Sequence, residues 1–491
     1  MGMFNDYLAN IGEYGVVEAI RHPIVGVNGL PGARIGEIVA FENDELGQVA
    51  LLDRNRATVQ LFGRQSARLG ARVARSGQTL TVAVSDDPRG SVIDPFGSII
   101  QSLTEKNTSK KKHIGVFSPI KPIFERARIN ESLVSGVTLI DFLVPLGRGQ
   151  KELIIGDRKT GKTSMFLPMI KKQVVLGTVV IYALIGKNKT DAKRTIETMI
   201  ASGVAKDMVF VISYANDSPG LINLTPHTAM TIAEQYRDKG IDTIVVLDDI
   251  STHAKFYREL SLISGVFPGR ESYPGDIFYV HARLLERAGN FRIEGGETAS
   301  ISCFPIVETV EGDLTSHIAT NIMGMTDGHI FFDSDAYYNG HRPAINFGLS
   351  VTRVGRNVQP TIIKELYGEI AMFLAQYEKL QNFSHFGAEL SKHVRDQLKK
   401  GDGLHEHFNQ QVDEVRQHEV DLLIFALIWS GVIFKQEKDT VTLLKQKIYT
   451  AYAKDPAAKK LIDDTINTTK LYQLLINVVK QEMALRKLWQ T

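Results

Sequence analysis

The chain up to about residue 88 is patterned as short apolar runs separated by turn residues. This spacing is typical of a small antiparallel β-barrel. The runs are Val16-Val17, Ile24-Val25 and residues 38–41, 49–52 and 59–62, and the turn residues between them include Asn28-Gly29, Pro31-Gly32, Asn43-Asp44 and Gly63. We therefore predict an N-terminal β-barrel domain over residues 1–88.

From about residue 90 the pattern changes to strands that alternate with helices. Residues 179–185, 208–213 and 243–247 are apolar and rich in β-branched side chains, and the helix-like residues 192–202 and 228–239 lie between them. Continuous apolar strands joined by helices are typical of a buried parallel sheet built from βαβ units. We predict an α/β domain over residues 89–358.

The rest of the chain, residues 359–491, is patterned as helices with apolar stripes. One stripe consists of Leu366, Ile370, Phe373, Leu374 and Tyr377, and another of Leu471, Leu474, Leu475, Val478, Leu485 and Trp489. The most apolar window, residues 422–434, predicts a buried helix, since a membrane span needs about 20 apolar residues. We predict a C-terminal helical domain.

Composition and charge exclude few functions. Of the 491 residues, 43% are hydrophobic and 23% charged, which is ordinary for a globular protein. The formal net charge of +2 provides no global electrostatic reason to expect nucleic acid or an anionic membrane as the main partner. The single cysteine, Cys303, excludes an internal disulfide framework and fits a reducing cytosol.

The strongest chemical signal is residues 151–164 (KELIIGDRKTGKTS), which satisfy the phosphate-binding pattern G-x-x-x-x-G-K-[ST]. Glycine lets backbone N–H groups turn toward phosphate oxygens, Lys162 supplies a positive charge, and the Thr163 hydroxyl can ligate Mg²⁺. The α/β domain is therefore predicted to be a RecA-like P-loop nucleotide-binding domain. Its predicted nucleotide-binding residues in this loop are Gly156, Asp157, Arg158, Lys159, Thr160, Gly161, Lys162, Thr163 and Ser164.

A pair of acidic residues, Asp248-Asp249, follows the apolar run 243–247. A P-loop nucleotidase needs a carboxylate at the end of such a strand to hold the water shell of Mg²⁺. We predict that Asp248 holds Mg²⁺ through water together with Thr163, with Asp249 as the second choice. The predicted cofactors are ATP or ADP and Mg²⁺.

Several longer runs are similar to the alpha subunits of F-type ATP synthases, and the similarity covers essentially the whole chain. The runs are residues 143–164, 246–251 (VLDDIS), 268–288 (PGRESYPGDIFYVHARLLERA), 326–333 (TDGHIFFD) and 342–355 (RPAINFGLSVTRVG). The resemblance implies a non-catalytic, regulatory ATP-binding subunit. It also counts Arg342 and Pro343 among the nucleotide-binding residues.

The resemblance further implies an assembly. Three copies would alternate with three catalytic beta subunits around a gamma-type central shaft, with a delta-type stator subunit and a membrane sector completing a proton-coupled ATP synthase. The chain is then expected at the cytoplasmic face of the cell membrane, held there through the complex. Neither direct membrane insertion nor nucleic-acid binding is expected.

Two residues distinguish this subunit type from its catalytic relatives. The catalytic subunits of the family place a glutamate, which orients the attacking water, where this chain has Lys187 after Gly186. A lysine cannot polarise water as a carboxylate can, and we expect it to hold the γ-phosphate instead. Arg353 matches the arginine that the family's alpha subunit inserts into the neighbouring catalytic site as an arginine finger in trans.

The chain departs from the family pattern at three places. Lys159 and Lys187 stand where glutamine is usual, and residues 399–409 (KKGDGLHEHFN) replace a glutamine-containing stretch that helps to enclose adenine in the family. Phosphate and Mg²⁺ binding are still expected, whereas the selectivity for the base is left open.

Two other functions share the P-loop pattern. A homohexameric secretion or flagellar ATPase would be catalytic and should carry the glutamate that is absent at position 187. A ring-shaped RNA helicase of the termination-factor type should have aromatic stacking platforms and a basic groove on its barrel. The aromatic residues up to residue 88 are Phe4, Tyr7, Tyr14, Phe41 and Phe62, without clustering beside Arg or Lys, which favours a structural barrel.

Overall fold

The computed structural model describes residues 2–54, 56–63, 67–104, 111–384, 391–435 and 441–490. It begins with a short helix and a closed antiparallel barrel, as the apolar runs predict. These elements are α1 (Met3–Ile11), β1 (Tyr14–Arg21), β2 (Ile24–Asn28), β3 (Glu37–Phe41), β4 (Leu46–Leu52), β5 (Arg56–Leu61) and β6 (Arg72–Thr79). The strands pair in the order β1-β2-β5-β4-β3-β6, and β6 pairs with β1 to close the ring. Alternate side chains such as Val25 and Val27 are fully buried in the barrel core, which the two-residue period of a strand requires.

The central part of the chain alternates strands and helices, so the predicted α/β class is confirmed. Its elements are β7 (Thr81–Ser85), β8 (Ser91–Ile93), β9 (Ile99–Ser102), β10 (Lys111–Gly115), β11 (Ser132–Leu133), α2 (Thr138–Leu143), β12 (Leu146–Gly147), β13 (Glu152–Asp157), α3 (Phe166–Val175), β14 (Val179–Lys187), α4 (Lys189–Ala201), β15 (Met208–Tyr214), α5 (Pro219–Arg237), β16 (Thr243–Asp248), α6 (Ile250–Ile263), α7 (Ile277–Leu285), β17 (Gly289–Arg292), β18 (Thr298–Thr309), α8 (His317–Met325), β19 (Gly328–Phe332), α9 (Ser334–Tyr338) and β20 (Val351–Thr352).

The large sheet runs in the order β20-β19-β13-β18-β16-β14-β15-β8-β9, and β17 pairs with β18 outside this path. From β19 to β8 every neighbouring pair is parallel. The strands are almost wholly buried because helices cover both faces, which explains their unbroken apolar runs. Since parallel strands end at one edge, the carboxyl ends of β13, β14, β16 and β18 meet there.

The remainder of the chain is helical, as predicted. Its helices are α10 (Thr361–Ser384), α11 (Lys392–Phe408), α12 (His418–Trp429), α13 (Val441–Lys454), α14 (Pro456–Ile466), α15 (Leu471–Lys480) and α16 (Glu482–Gln490). The apolar window 422–434 is buried but is not one helix. Helix α12 ends at Trp429, because Gly431 takes a left-handed φ of 75°. A separate helical turn covers Val432–Lys435. Within the described ranges, no helix is both long and apolar enough to span a bilayer.

One buried arginine joins the helical part to the α/β part. Arg416 is 1% exposed, and its guanidinium donates to the Thr138 hydroxyl at 3.1 Å and to the carbonyl oxygen of Asn409 at 2.6 Å. Glu414 accepts from Arg416 Nε at 3.0 Å and balances the charge. The chain from Asn409 to Arg416 is therefore held in one conformation against the start of α2.

We predict that Arg416→Leu lowers the free energy of unfolding by about 3–5 kcal/mol, because it leaves the carbonyl oxygens of His407 and Asn409 and the half-buried Glu414 carboxylate without their donor. The substitution also removes the positive charge beside the buried Asp421 carboxylate. Denaturant unfolding followed by tryptophan fluorescence measures the change. Arg395→Leu, on the exposed surface of α11, is the matched control and should change the unfolding free energy by less than about 0.5 kcal/mol. Equal effects of the two substitutions would contradict the role assigned to Arg416.

Candidate nucleotide-binding site

The loop between the end of β13 and α3 bends sharply. Gly156 has a φ of 153°, and a Cβ there would lie 2.3 Å from the carbonyl oxygen of Phe332, so only glycine fits. Lys159 and Gly161 take left-handed φ values of 64° and 91°. The chain then enters a turn over Thr163–Met165 and continues as α3. This backbone resembles the anion-binding curl that the sequence pattern predicts.

Lys162 lies inside this curl. Its ammonium donates to the carbonyl oxygen of Gly156 at 2.7 Å and to that of Asp157, and the residue is buried. Burial lowers the pKa of Lys162, and the nearby carboxylates of Glu308, Asp248 and Asp249 oppose that shift. The structure thus places a positive charge at the centre of the loop, where a phosphate group would be bound.

Two of the predicted loop residues turn their side chains away from the centre. The Asp157 carboxylate accepts hydrogen bonds from the Thr309 hydroxyl at 2.6 Å, the Gly312 N–H at 2.9 Å and the Ser334 hydroxyl at 2.9 Å. Burial alone would raise the pKa of Asp157, but these hydrogen bonds outweigh burial and lower it. Arg158 is exposed and pairs with Glu308 at 2.7 Å. These side chains brace the loop, so only the backbone of Asp157 and Arg158 faces its centre.

The predicted magnesium carboxylate has an unexpected neighbour. Lys187 Nζ lies 2.6 Å from Asp248 Oδ1 and 2.9 Å from Asp249 Oδ2. Burial opposes the charged form, but the two carboxylates prevail and raise the pKa of Lys187 above its usual value. The structure shows the ammonium held by the acidic pair at the end of β16. The expectation that this lysine also holds the γ-phosphate stays a prediction.

The same contacts test whether the residues fit a magnesium ion. Besides Lys187, Asp248 accepts from the Tyr182 hydroxyl at 3.1 Å, and Asp249 accepts from the Thr252 N–H at 2.6 Å. All four carboxylate oxygens therefore have a partner already. No group of three or more His, Cys, Asp or Glu in the described part of the chain is arranged to hold a metal ion. Lys187 already supplies positive charge to both carboxylates, and the residues at the end of β16 therefore do not fit a magnesium ion as they are arranged here.

A cavity next to the loop brings distant parts of the chain together. It is lined by Thr160, Gly161 and Ser164 of the loop and by Arg342 and Pro343, which the sequence also predicted. The Arg342 guanidinium donates to the carbonyl oxygens of Tyr337 at 2.8 Å and His341 at 2.7 Å. Three of the predicted loop residues and the predicted pair at 342–343 thus share one pocket.

Gln410 and Gln411 also line this cavity, and sequence reasoning missed them. Residues 399–409 were expected to have displaced a glutamine-containing stretch, but the two glutamines follow directly after them. The Gln410 amide donates to the carbonyl oxygens of Gly136 at 2.7 Å and Glu414 at 2.6 Å, so its polar atoms are used structurally. Gln411 is exposed and is the glutamine whose side chain can reach a ligand. The sequence signal that could have identified these cavity residues is the Gln410-Gln411 pair itself.

Arg353 lies away from this cavity. It follows Thr352, which pairs with Gly328, and Gly328 pairs with Glu152 at the beginning of β13. The loop begins at the other end of β13, roughly 17 Å along the strand at about 3.3 Å per residue. Arg353 is exposed, and its guanidinium makes no hydrogen bond or ion pair with any residue that the structure describes. The side chain is therefore available to another molecule and remote from its own P-loop.

Comparison with known proteins agrees with this geometry. Residues 136–352 match the nucleotide-binding domain of the ATP synthase alpha/beta family, and residues 359–482 match the C-terminal domain of the ATP synthase alpha/beta chain. Proteins named ATP synthase subunit alpha are similar over nearly the whole chain. The chain belongs to the ATP synthase alpha/beta family.

Three relatives show the extent of the similarity within this family. The alpha subunit of Ligilactobacillus salivarius (strain UCC118) is 36% identical over 94% of this chain and 91% of its own length. That of Sulfurovum sp. (strain NBC37-1) is 37% identical over 93% and 92%, respectively. The mitochondrial alpha subunit of Dictyostelium citrinum is 40% identical over 79% and 76%. The predicted resemblance is confirmed, and this family member aligns with most of each relative.

Proposed function

We propose that this chain is the non-catalytic, regulatory ATP-binding alpha subunit of a rotary F-type ATP synthase. The observation that carries the proposal is the pairing of a phosphate-binding loop with Lys187 at the neighbouring strand end. Hydrolysis requires a group that accepts a hydrogen bond from the attacking water, and an ammonium only donates. Lys187 also cannot take part as a base, because its charge is held by Asp248 and Asp249.

The proposed ligand is ATP or ADP, bound with its phosphates in the curl of the loop. Backbone N–H groups between Gly156 and Thr163, together with the Lys162 ammonium, would face the phosphate oxygens. Arg342, Pro343 and Gln411 line the side of the cavity on which the base and ribose would lie. The predicted Mg²⁺ ligands, Thr163 and, through water, Asp248, stay a prediction, and Lys187 would compete with the ion for Asp248.

The proposed catalytic contribution is Arg353, acting in trans. Because Arg353 is exposed and lies near the opposite end of β13 from its own loop, it can serve only a site on a neighbouring chain. Its guanidinium fork would span oxygens of the phosphoryl group transferred in an adjacent beta-type subunit and stabilise their developing charge.

The remaining parts of the proposal concern the assembly. Three copies would alternate with beta subunits around a gamma-type shaft, with a delta-type stator subunit linking the ring to a proton-translocating membrane sector. The chain would be peripheral, at the cytoplasmic face of the cell membrane. We also propose the domain limits 1–88, 89–358 and 359–491, which place the barrel at the crown of the ring.

We predict that Lys162→Ala weakens ATP binding by at least about tenfold while leaving the fold intact, because it removes the charge at the centre of the loop. Calorimetric titration of the purified chain measures the affinity, and circular dichroism checks the fold. Lys193→Ala removes the same charge from an exposed position on α4 and should leave the affinity unchanged. Unaltered affinity in the Lys162 variant would rule out the loop as the binding site.

We predict that the isolated chain binds ATP and releases it unhydrolysed, because Lys187 stands where the catalytic relatives place the glutamate that orients the attacking water. A phosphate-release assay on the purified chain measures turnover, and Lys162→Ala serves as the control for contaminating enzymes. Sustained turnover that disappears in the Lys162 variant would favour a homohexameric ATPase instead.

We predict that Arg353→Lys lowers hydrolysis by the reconstituted ring by a factor on the order of 10³ to 10⁵, since lysine lacks the planar fork. Steady-state ATPase rates measure the loss, and size-exclusion chromatography checks assembly. Arg356→Lys, three residues further along and stacked on Tyr367, is the matched control and should retain turnover. A nearly unchanged rate in the Arg353 variant would make this arginine structural.

A further inference from the structure

The Lys187 ammonium lies between the carboxylates of Asp248 and Asp249. Its side chain is 20% exposed, and those of Asp248 and Asp249 are 7% and 3% exposed, so the contact is shielded from solvent. The ammonium has three N–H donors, of which Asp248 and Asp249 take two. The third N–H donor is not used by either carboxylate.

The backbone before Lys187 is shaped to direct the side chain there. The pairing of β14 with β15 shifts register between Leu184 and Lys187, and Gly186 takes a left-handed φ of 59°. A Cβ on Gly186 would lie 2.9 Å from the Thr252 methyl carbon. The Gly186 N–H is held by the Ser213 hydroxyl at 3.1 Å. A glycine in a bulge therefore turns Lys187 from the strand end toward the end of β16.

Each carboxylate oxygen of the acidic pair has one partner in this arrangement. Tyr182 and Thr252 donate to one oxygen of Asp248 and of Asp249, respectively, and Lys187 takes the other oxygen of each. Lys162 lies within electrostatic reach of the same two carboxylates. Two ammonium groups thus lie near these two carboxylates, and the carboxylates of Glu308 and Asp157 also act on Lys162. A divalent cation brought here would be repelled by both ammonium groups and would compete with Lys187 for the two aspartates.

We propose that Lys187 takes the place of Mg²⁺ in this P-loop, so that the site binds the phosphates of ATP or ADP without a divalent cation. The inference rests on the proposed nucleotide-binding function. Lys187 stays on Asp248 and Asp249 and donates its third N–H to a phosphate oxygen, while Lys162 contacts the phosphates from inside the loop. The cation that a P-loop normally recruits from solution is here part of the chain.

The primary test needs no substitution. ATP is titrated into the purified chain in excess Mg²⁺ and again in excess EDTA, and the two dissociation constants are compared. We expect them to agree within about threefold. A loss of more than about tenfold in EDTA would overturn the inference and favour Mg²⁺ ligation by Thr163 and Asp248.

A variant supplies the second arm. Lys187→Gln frees the two carboxylates, and ATP binding should then weaken by at least about tenfold when Mg²⁺ is removed. Lys189→Gln is the matched control, because it removes the same charge only two residues away. The Lys189 side chain lies over the Tyr214 ring. This control variant should bind ATP equally with and without Mg²⁺. Thermal unfolding establishes that both variants are folded.

A direct count of bound metal completes the test. Mn²⁺ is the probe, and electron paramagnetic resonance measures how much of it is bound for each ATP on the protein. We expect well under one Mn²⁺ per ATP on the unaltered chain, and one Mn²⁺ per ATP on the unaltered chain would overturn the inference. If the folded chain binds no ATP in either medium, the proposed function fails and the inference fails with it, which separates this outcome from Mg²⁺-dependent binding.

Discussion

The parallel pairing of the central sheet is the constraint on which the rest of the structure depends. Its register sets Gly156 beside Glu308, and Leu184 beside Asp248, on adjacent strands. Residues about 60 to 150 positions apart in the chain are thereby brought to one edge of the sheet. A parallel sheet has no other way to expose polar side chains, because its faces are covered by helices and only its ends reach solvent.

The chemistry at that edge is decided by how charges pair across the strand ends. Glu308 receives the exposed Arg158, while Asp248 and Asp249 receive Lys187. The carboxylates therefore pair with the protein's own cations, and the Lys162 ammonium lies within the loop, where it donates to backbone carbonyl oxygens. An ammonium in such a site can hold a phosphate group by donating hydrogen bonds to its oxygens. It cannot accept a hydrogen bond from a water molecule, so it cannot activate that water.

The two ends of β13 separate two functions. The end that carries the loop is closed on one side by the segment from Asn409 to Arg416, which a buried guanidinium locks against α2 and which presents Gln411 to the cavity. The opposite end lies under the exposed Arg353. The length of one strand thus separates the candidate ligand site from the exposed Arg353 side chain.

The sequence by itself determined the three kinds of architecture, the loop and the family, because apolar periodicity and the G-x-x-x-x-G-K-T spacing are local properties of the chain. It also named Asp248, Arg342, Pro343 and Arg353. Only the tertiary structure showed that Lys187 pairs with two aspartates about 60 residues further along and that Gln410 and Gln411 line the cavity. Both depend on which strand ends and loops meet in space, and the free energy of a buried ion pair or a filled hydrogen bond comes from partners that no local pattern specifies.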